Sequence, residues 1–498
     1  MRFSVVNIFK WTALAALSAC AVAEQTVSID VLPGIYPNQL TPDQGQLNVA
    51  LLAPHRLEQV GRCLAVSAST SFDADAPIIA AQGDIEWRDE NGDGLRDAVA
   101  SFSVASLRDA GLLGAETTHL AVRASACDGS VLTGSGRLFD AGVPLVPLLP
   151  PSGTEAVGTI QLPLFDASRP GPSAVGRELL LRIWYPAAAT AAEPASYFLD
   201  AREADLNAAS SQLPAGIFDL VHGWSILRTK SASGRRPTLL LSTGLGVPLT
   251  FYSGIAEELG SHGYVVIGLA HPDGSGIVAY PDGTTSQVDP NVLPEESART
   301  AIVRDWADDL KFVASWLANG AAEASLDPVS HTVLGLVDLS RLGAFGHSFG
   351  GAAAVWAASE TPLLRASANM DGRLWGDVLE RGSTKPVLLL LSEEASAEAD
   401  ASIAEFTSHA LAPVHRAWVS GALHNDFSDS ALLVQALAQL DPRVQPVEYQ
   451  VGPIDPGRVL AIESAYLRAL FEAAWSGEAS ALLAGPAPEF PEVRFSTR

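Results

Sequence analysis

Between residues 25 and about 140, short apolar stretches recur between turn signals, at 46–51, 98–104 and 118–123. Several alternate apolar and polar residues with period two, which turns one side of each strand to a core and the other to solvent. Two layers of such strands predict an all-β sandwich. Beyond residue 154 the pattern changes. Segment 179–185 reads as a strand ended by Pro186, and 238–242, 264–269, 342–345 and 386–391 are largely apolar runs, as in strands buried on both faces. Between them Ile302, Trp306, Leu310, Val313 and Leu317 recur every three or four residues and form one apolar helix face, read as core packing. Strand alternating with helix predicts a mostly parallel sheet with helices on both sides. The run 143–151 carries Pro144, Pro147, Pro150 and Pro151. Proline lacks the N–H that a helix interior or a central strand needs, so this run is expected as a stiff, extended linker. The expected organisation is therefore a β-sandwich over 24–142, a linker over 143–153 and a catalytic α/β unit over 154–490. Residues 188–236 are a candidate lid or cap.

The first 23 residues read as an address. Arg2 and Lys10 precede an apolar run, 11–17, that is too short to span a bilayer and suits a secretory signal peptide. Two cleavage patterns compete. Ala21-Val22-Ala23 offers a small-x-small site before Glu24, whereas Leu17-Ser18-Ala19-Cys20 is similar to a lipobox in which Cys20 is lipidated. Either way Cys63 and Cys127 are the remaining cysteines, and in an oxidising compartment they are expected to pair. The expected location is periplasmic, outer-membrane-anchored or secreted.

Of the 498 residues, 48% are hydrophobic and 17% charged, enough to bury a large core and too apolar for a disordered chain. The formal net charge of −25 opposes polyphosphate and excludes nucleic acid as an expected partner. One loop in the first unit, Asp89-Glu90-Asn91-Gly92-Asp93-Gly94-Leu95-Arg96-Asp97, sets oxygen side chains at positions one, three, five and nine, with glycine at six. That is the start of a calcium loop, with Asp89, Asn91, Asp93 and Asp97 as ligands. The twelfth position is Ala100 rather than the glutamate of an EF-hand, so the loop is an incomplete one. A solvated turn between two strands is the alternative.

The strongest chemical signal is Gly346-His347-Ser348-Phe349-Gly350-Gly351, placed between an apolar strand and an alanine-rich helix. Gly-x-Ser-x-Gly in that context is a nucleophile elbow, in which the helix N-terminus favours developing negative charge. The hydroxyl needs a base, and the base needs an orienting acid, in the chain order Ser, acid, His. Among His409, His415 and His424, only His424 follows a strand in a loop from which it can reach Ser348. For the acid, Asp371 and the Glu393-Glu394 pair each follow a strand, and spacing does not choose between them.

The ordered set Ser242-Thr243-Gly244-Leu245-Gly246, Leu259-Gly260-Ser261-His262-Gly263-Tyr264, Gly346–Gly351, Met370-Asp371, Leu391-Ser392-Glu393-Glu394 and His424-Asn425-Asp426-Phe427 resembles the platelet-activating factor acetylhydrolase family of α/β-hydrolases, in its plasma and intracellular type II form. The resemblance covers about residues 155–490 and excludes the first unit. It implies an α/β-hydrolase fold and a serine esterase acting on short sn-2 acyl groups of phospholipids, with Ser348, Asp371 and His424 as the triad. It places the oxyanion donors at the backbone N–H groups of Leu245 and Phe349, each worth about 3–4 kcal/mol in the transition state. It also implies a phospholipid or other ester as partner and no cofactor for catalysis. Thr243 stands where the family commonly has histidine. The alternatives are a broad carboxylesterase or polyester hydrolase on the same triad, and an inactive surface-binding protein. The complete Ser348, Asp371, His424 set argues against the latter.

Overall fold

The computed structural model describes residues 24–26, 28–31, 39–40, 44–52, 64–69, 76–89, 96–113, 117–126 and 131–140. From 146 to 498 it describes all but 172–175, 189–193, 214–215, 281–282, 290, 292–294, 320–325, 394–396 and 441–442. The expected signal segment with Cys20, the expected pair Cys63 and Cys127, and the calcium-loop candidates Asn91 and Asp93 lie outside the described residues.

The N-terminal strands form two sheets. One contains Glu24–Thr26, Val131–Asp140, Thr117–Ser125, Ala65–Ser69 and Ile79–Ala80 in that order, with Gln39–Leu40 also on Val131–Asp140. The other runs Ser28–Val31, Gln46–Leu52, Asp97–Ser103 and Gln82–Arg88. Both contribute to one core, in which Leu47, Val49 and Phe102 of the second sheet meet Val66, Leu120 and Val122 of the first. The expected strand over 98–104 ends one residue early. Ser103 Oγ accepts the Ser106 N–H at 3.2 Å and caps a short helix, Val104–Asp109, that buries Val104 and Leu107 in the same core.

The run after residue 145 is extended, as its prolines require, but it is not a free spacer. Val146–Pro147 pairs with Val221–His222, and the Leu148 carbonyl accepts the indole N–H of Trp224 at 2.9 Å. Ser152 donates through both its N–H and Oγ to the Glu258 carboxylate, each at 2.7 Å. The segment is thus fastened to the unit that follows it.

That unit is built on a ten-stranded sheet. The order is Ile226–Leu227, Ala156–Asp166, Arg177–Ala187, Val265–Ala270, Arg236–Ser242, Val337–His347, Ser367–Met370, Val387–Ser392, Val414–Val419 and Val493–Thr497. The six strands from Val265–Ala270 to Val414–Val419 are mutually parallel, and antiparallel pairs flank them. Two cores cover the two faces. Helices Glu296–Asn319, Phe349–Glu360 and Ala397–His409 bury Trp306, Leu310, Val355 and Phe406 on one side. Helices Ser253–Ser261 and Pro456–Ser476 bury Ile255, Tyr466 and Phe471 on the other. The expected end at 490 falls short, because Val493–Thr497 closes the sheet edge against Val414–Val419. Pro186 lies inside the strand Arg177–Ala187 rather than ending it. Beyond Trp184 that strand has lost its pairing with Val265–Ala270, so a missing N–H leaves no gap in that ladder. In the candidate cap, Tyr197, Phe198 and Phe218 pack on one another and on Phe251.

Candidate active site

Ser348 sits between the strand Val337–His347 and the helix Phe349–Glu360, with φ 56° and ψ −122°. A non-glycine residue in this region stores about 1–3 kcal/mol of strain. The turn holds it there: Ser348 N–H donates to the Met370 carbonyl at 2.8 Å. The motif glycines follow from close approach. A Cβ on Gly350 would lie 2.3 Å from the carbonyl oxygens of Ser242 and Thr243, and one on Gly346 would lie 2.5 Å from Ser242 O. The elbow and the turn after Arg236–Ser242 therefore pack backbone to backbone.

Asp371 follows the adjacent strand, Ser367–Met370, with φ 53°, a conformation that aspartate tolerates. Asn369 shapes this turn by accepting the Gly372 N–H at 2.9 Å and donating to the Gly372 carbonyl at 2.7 Å. One Asp371 oxygen accepts the Ser392 N–H at 2.8 Å, and the other is 2.7 Å from His424 Nδ1. His424 opens the 3₁₀ turn His424–Phe427 after the strand Val414–Val419. Its Nε2 is 3.1 Å from Ser348 Oγ. A carboxylate oxygen only accepts, so Nδ1 carries the proton and Nε2 is left to accept from the serine hydroxyl.

The structure thus brings Ser348, Asp371 and His424 into one hydrogen-bonded row. The other candidates lie elsewhere. Glu393 is exposed and accepts the Gly421 N–H at 2.6 Å, and Glu394 lies outside the described residues. His409 caps carbonyls at Leu379 and Glu405, and His415 bonds Thr497 and stacks on Phe495. In the turn 243–247, the N–H groups of Gly244, Gly246 and Val247 are bonded to Tyr252 Oη, Gly274 O and Gly244 O. The Leu245 residue between them is half-buried, beside the elbow on which Phe349 opens its helix. Among the described residues no group of three His, Cys, Asp or Glu converges to hold a metal ion; Asp89 is exposed and Asp97 fully buried. Nor, among the described residues, is any helix long and apolar enough to cross a membrane.

Two buried arrays beneath the site carry no spacing signal in the chain. In the first, Asp309 on the helix Glu296–Asn319 is fully buried and accepts from Arg177 at 2.7 and 2.8 Å, Arg169 at 2.5 Å and His271 Nδ1 at 2.8 Å. Burial alone would raise the carboxyl's pKa; the hydrogen bonds from His271 and Arg177 outweigh it and hold the group well below the usual carboxylate range. His271 Nε2 in turn accepts from Ser242 Oγ at 2.8 Å. Ser242, His271 and Asp309 have the composition of a triad but no exposed surface, so no substrate reaches them. They brace the strand that ends at the 243–247 turn. The second array joins Gly244, Tyr252, His347 and His424.

A serine, an acid and a histidine in that chain order, after the strands Val337–His347, Ser367–Met370 and Val414–Val419 of a mostly parallel sheet, place this unit among the α/β-hydrolases. The chain belongs to the family described as platelet-activating factor acetylhydrolase, isoform II, which it matches over residues 175–305 and 324–445. It is similar to a probable 1-alkyl-2-acetylglycerophosphocholine esterase of Arthroderma benhamiae, at 29% identity over 52% of this chain and 66% of that protein. It is also similar to a platelet-activating factor acetylhydrolase of Cavia porcellus, at 26% identity over 39% of this chain and 48% of that protein. The matches therefore span less than two thirds of these relatives' lengths. Among solved structures, a ferulic acid esterase from Streptomyces cinnamoneus superposes with a TM-score of 0.60 and 28% identity, over 70% of this chain and 98% of the esterase.

Proposed function

We propose that this protein is a serine ester hydrolase that cleaves short sn-2 acyl esters of phospholipids through an acyl-enzyme. The observation that carries the reading is the row Asp371–His424–Ser348 on a strained elbow, with each hydrogen bond in the direction that ester hydrolysis needs. Ser348 Oγ attacks the ester carbonyl as its proton passes to His424 Nε2. Asp371 keeps Nδ1 protonated and offsets the imidazolium charge. The N–H groups of Leu245 and Phe349 bind the oxyanion. Collapse expels the alcohol, which takes the proton from His424. Water then attacks the acyl-serine with His424 again as base, and the acid leaves. The phospholipid substrate rests on the family and on the names of its relatives.

The same reading has 24–142 as a separate β-sandwich domain, supported by its own two-sheet core. It has the chain exported, with cleavage after Ala23 or before Cys20, and with Cys63 and Cys127 paired. A broader carboxylesterase is the second reading, favoured by the likeness to the ferulic acid esterase over nearly the whole of that chain. The test is hydrolysis of sn-2 acetyl and sn-2 long-chain phospholipids beside p-nitrophenyl and feruloyl esters, with Ser348→Ala in parallel. Fast sn-2 acetyl release that disappears in Ser348→Ala is the expected result. Activity confined to simple esters selects the second reading, and activity that survives Ser348→Ala overturns both.

A further inference from the structure

The second buried array runs from the oxyanion turn to the triad histidine, and its chemistry allows one proton arrangement. The Gly244 N–H can only donate, so Tyr252 Oη accepts it, at 2.8 Å. The His424 carbonyl can only accept, so His347 Nε2, 2.9 Å away, carries a proton and donates. Tyr252 Oη and His347 Nδ1 lie 2.9 Å apart, and the hydroxyl's own proton is free to go to a bare Nδ1. Every donor then meets an acceptor: Gly244 N–H to Tyr252 Oη–H, on to His347 Nδ1, and from Nε2–H to the His424 carbonyl. Tyr252 has no exposed surface and His347 is 1% exposed, so water does not substitute for these partners. The fit at Gly244 is close, since a Cβ there would lie 2.9 Å from His347 Nδ1 and 3.0 Å from Tyr252 Oη.

We infer that Tyr252 and His347 are positioning residues that fix the oxyanion turn and His424 in one register. The inference rests on the triad reading and goes beyond it, because neither side chain is assigned contact with substrate. Tyr252 sets the height of the turn whose next N–H, that of Leu245, faces the oxyanion in that reading. His347 holds the backbone of His424 from below while the imidazole works above. The two rings lie 4.6 Å apart between centroids, so a charge on His347 would oppose the proton that His424 takes up in each cycle. Burial and the neighbouring His424 keep His347 well below the usual histidine range, and therefore neutral.

The experiment measures kcat and KM with p-nitrophenyl acetate for the full chain, together with thermal melting. Tyr252→Phe strips one partner from Gly244 and one from His347 without changing shape. It is expected to lower kcat about 10- to 100-fold with KM within about threefold. Tyr185→Phe is the control. Tyr185 is equally buried and donates to the Thr229 carbonyl at 2.6 Å, outside this array. It is expected to lower the melting temperature and leave kcat unchanged. His347→Gln keeps a donor near the Nε2 position and loses the acceptor, whereas His347→Asn keeps an acceptor near Nδ1 and loses the donor. Both are expected to lose kcat, because the link must be whole. A folded Tyr252→Phe with wild-type kcat overturns the inference. If Tyr252→Phe does not fold, a folded His347→Gln with wild-type kcat overturns it equally. Undiminished activity in Ser348→Ala is the separate result that removes the triad reading itself.

Discussion

Replacing Asp371 by asparagine sets one fixed donor against one adaptable ring. In the native site one carboxylate oxygen accepts the Ser392 N–H at 2.8 Å and the other accepts His424 Nδ1–H at 2.7 Å. Asparagine has one oxygen and one NH₂ for these two places. With the NH₂ toward Ser392, two donors face each other in a nearly dry site, which costs about 1–3 kcal/mol for the unpaired group alone. With the oxygen toward Ser392, the NH₂ faces His424, and the imidazole avoids a clash of donors by moving its proton to Nε2. A backbone N–H cannot change role and an imidazole can, so the second arrangement wins. Nε2–H then points at Ser348 Oγ and cannot take its proton. This wrong tautomer is expected to lower kcat about 10⁴-fold, or about 5 kcal/mol of barrier. The φ of 53° at this position suits asparagine as well as aspartate, so the variant is expected to fold with its melting temperature little changed. The assay is kcat for p-nitrophenyl acetate, with Glu393→Gln as comparison, since the Glu393 side chain faces solvent and its carboxylate accepts the Gly421 N–H, away from His424. Activity of Asp371→Asn within tenfold of wild type, or a large loss in Glu393→Gln instead, would refute the reasoning.

Two further outcomes concern stability. Asp309→Asn takes from Arg177, 6% exposed, the carboxylate it bonds twice, and leaves Arg169 paired with Asp166 alone; it is expected to cost about 3–5 kcal/mol in urea unfolding, and a loss below about 1 kcal/mol would contradict the role given to this carboxylate. Burial pushes both Glu203 and Asp429 up to about 8, from ordinary values of 4.5 and 3.8. Raised carboxyl pKa values favour the protonated folded form, so their contribution is fully present below pH 4 and is lost as pH rises toward 8. The melting temperature is expected to be lower at pH 9 than at pH 6, and Glu203→Gln combined with Asp429→Asn to flatten that slope; an unchanged slope in the double variant would show that these carboxyls are not its source.

Much of the site was legible in the chain because its parts are local. The elbow needs a strand, two small residues against a neighbouring backbone and a helix start, and all three lie within 337–360. His424 could be chosen because only it follows a strand in a loop with reach. The acid was different. Asp371 and Glu393 both end strands, and only the family resemblance preferred Asp371. In the fold the choice is one of direction: Asp371 turns in to His424, whereas Glu393 turns out to Gly421.

The sequence by itself determined the central buried strands, the apolar face of the helix over 302–317 and the candidate triad, because periodicity and the elbow motif act over a few residues and travel with the chain. Tertiary structure alone decided what supports that chemistry. Tyr252 and His347 are 95 positions apart, His271 and Asp309 are 38 apart, and Arg177 and Asp309 are 132 apart. No period or spacing relates such residues; they meet because the sheet order sets their strands and helices side by side. The same cause places the last strand, Val493–Thr497, against Val414–Val419. It also turns a proline-rich run that reads as a spacer into a strap held by Trp224 and Glu258. A hydrogen bond is decided by distance and direction in space, and the chain order carries neither until the fold is made.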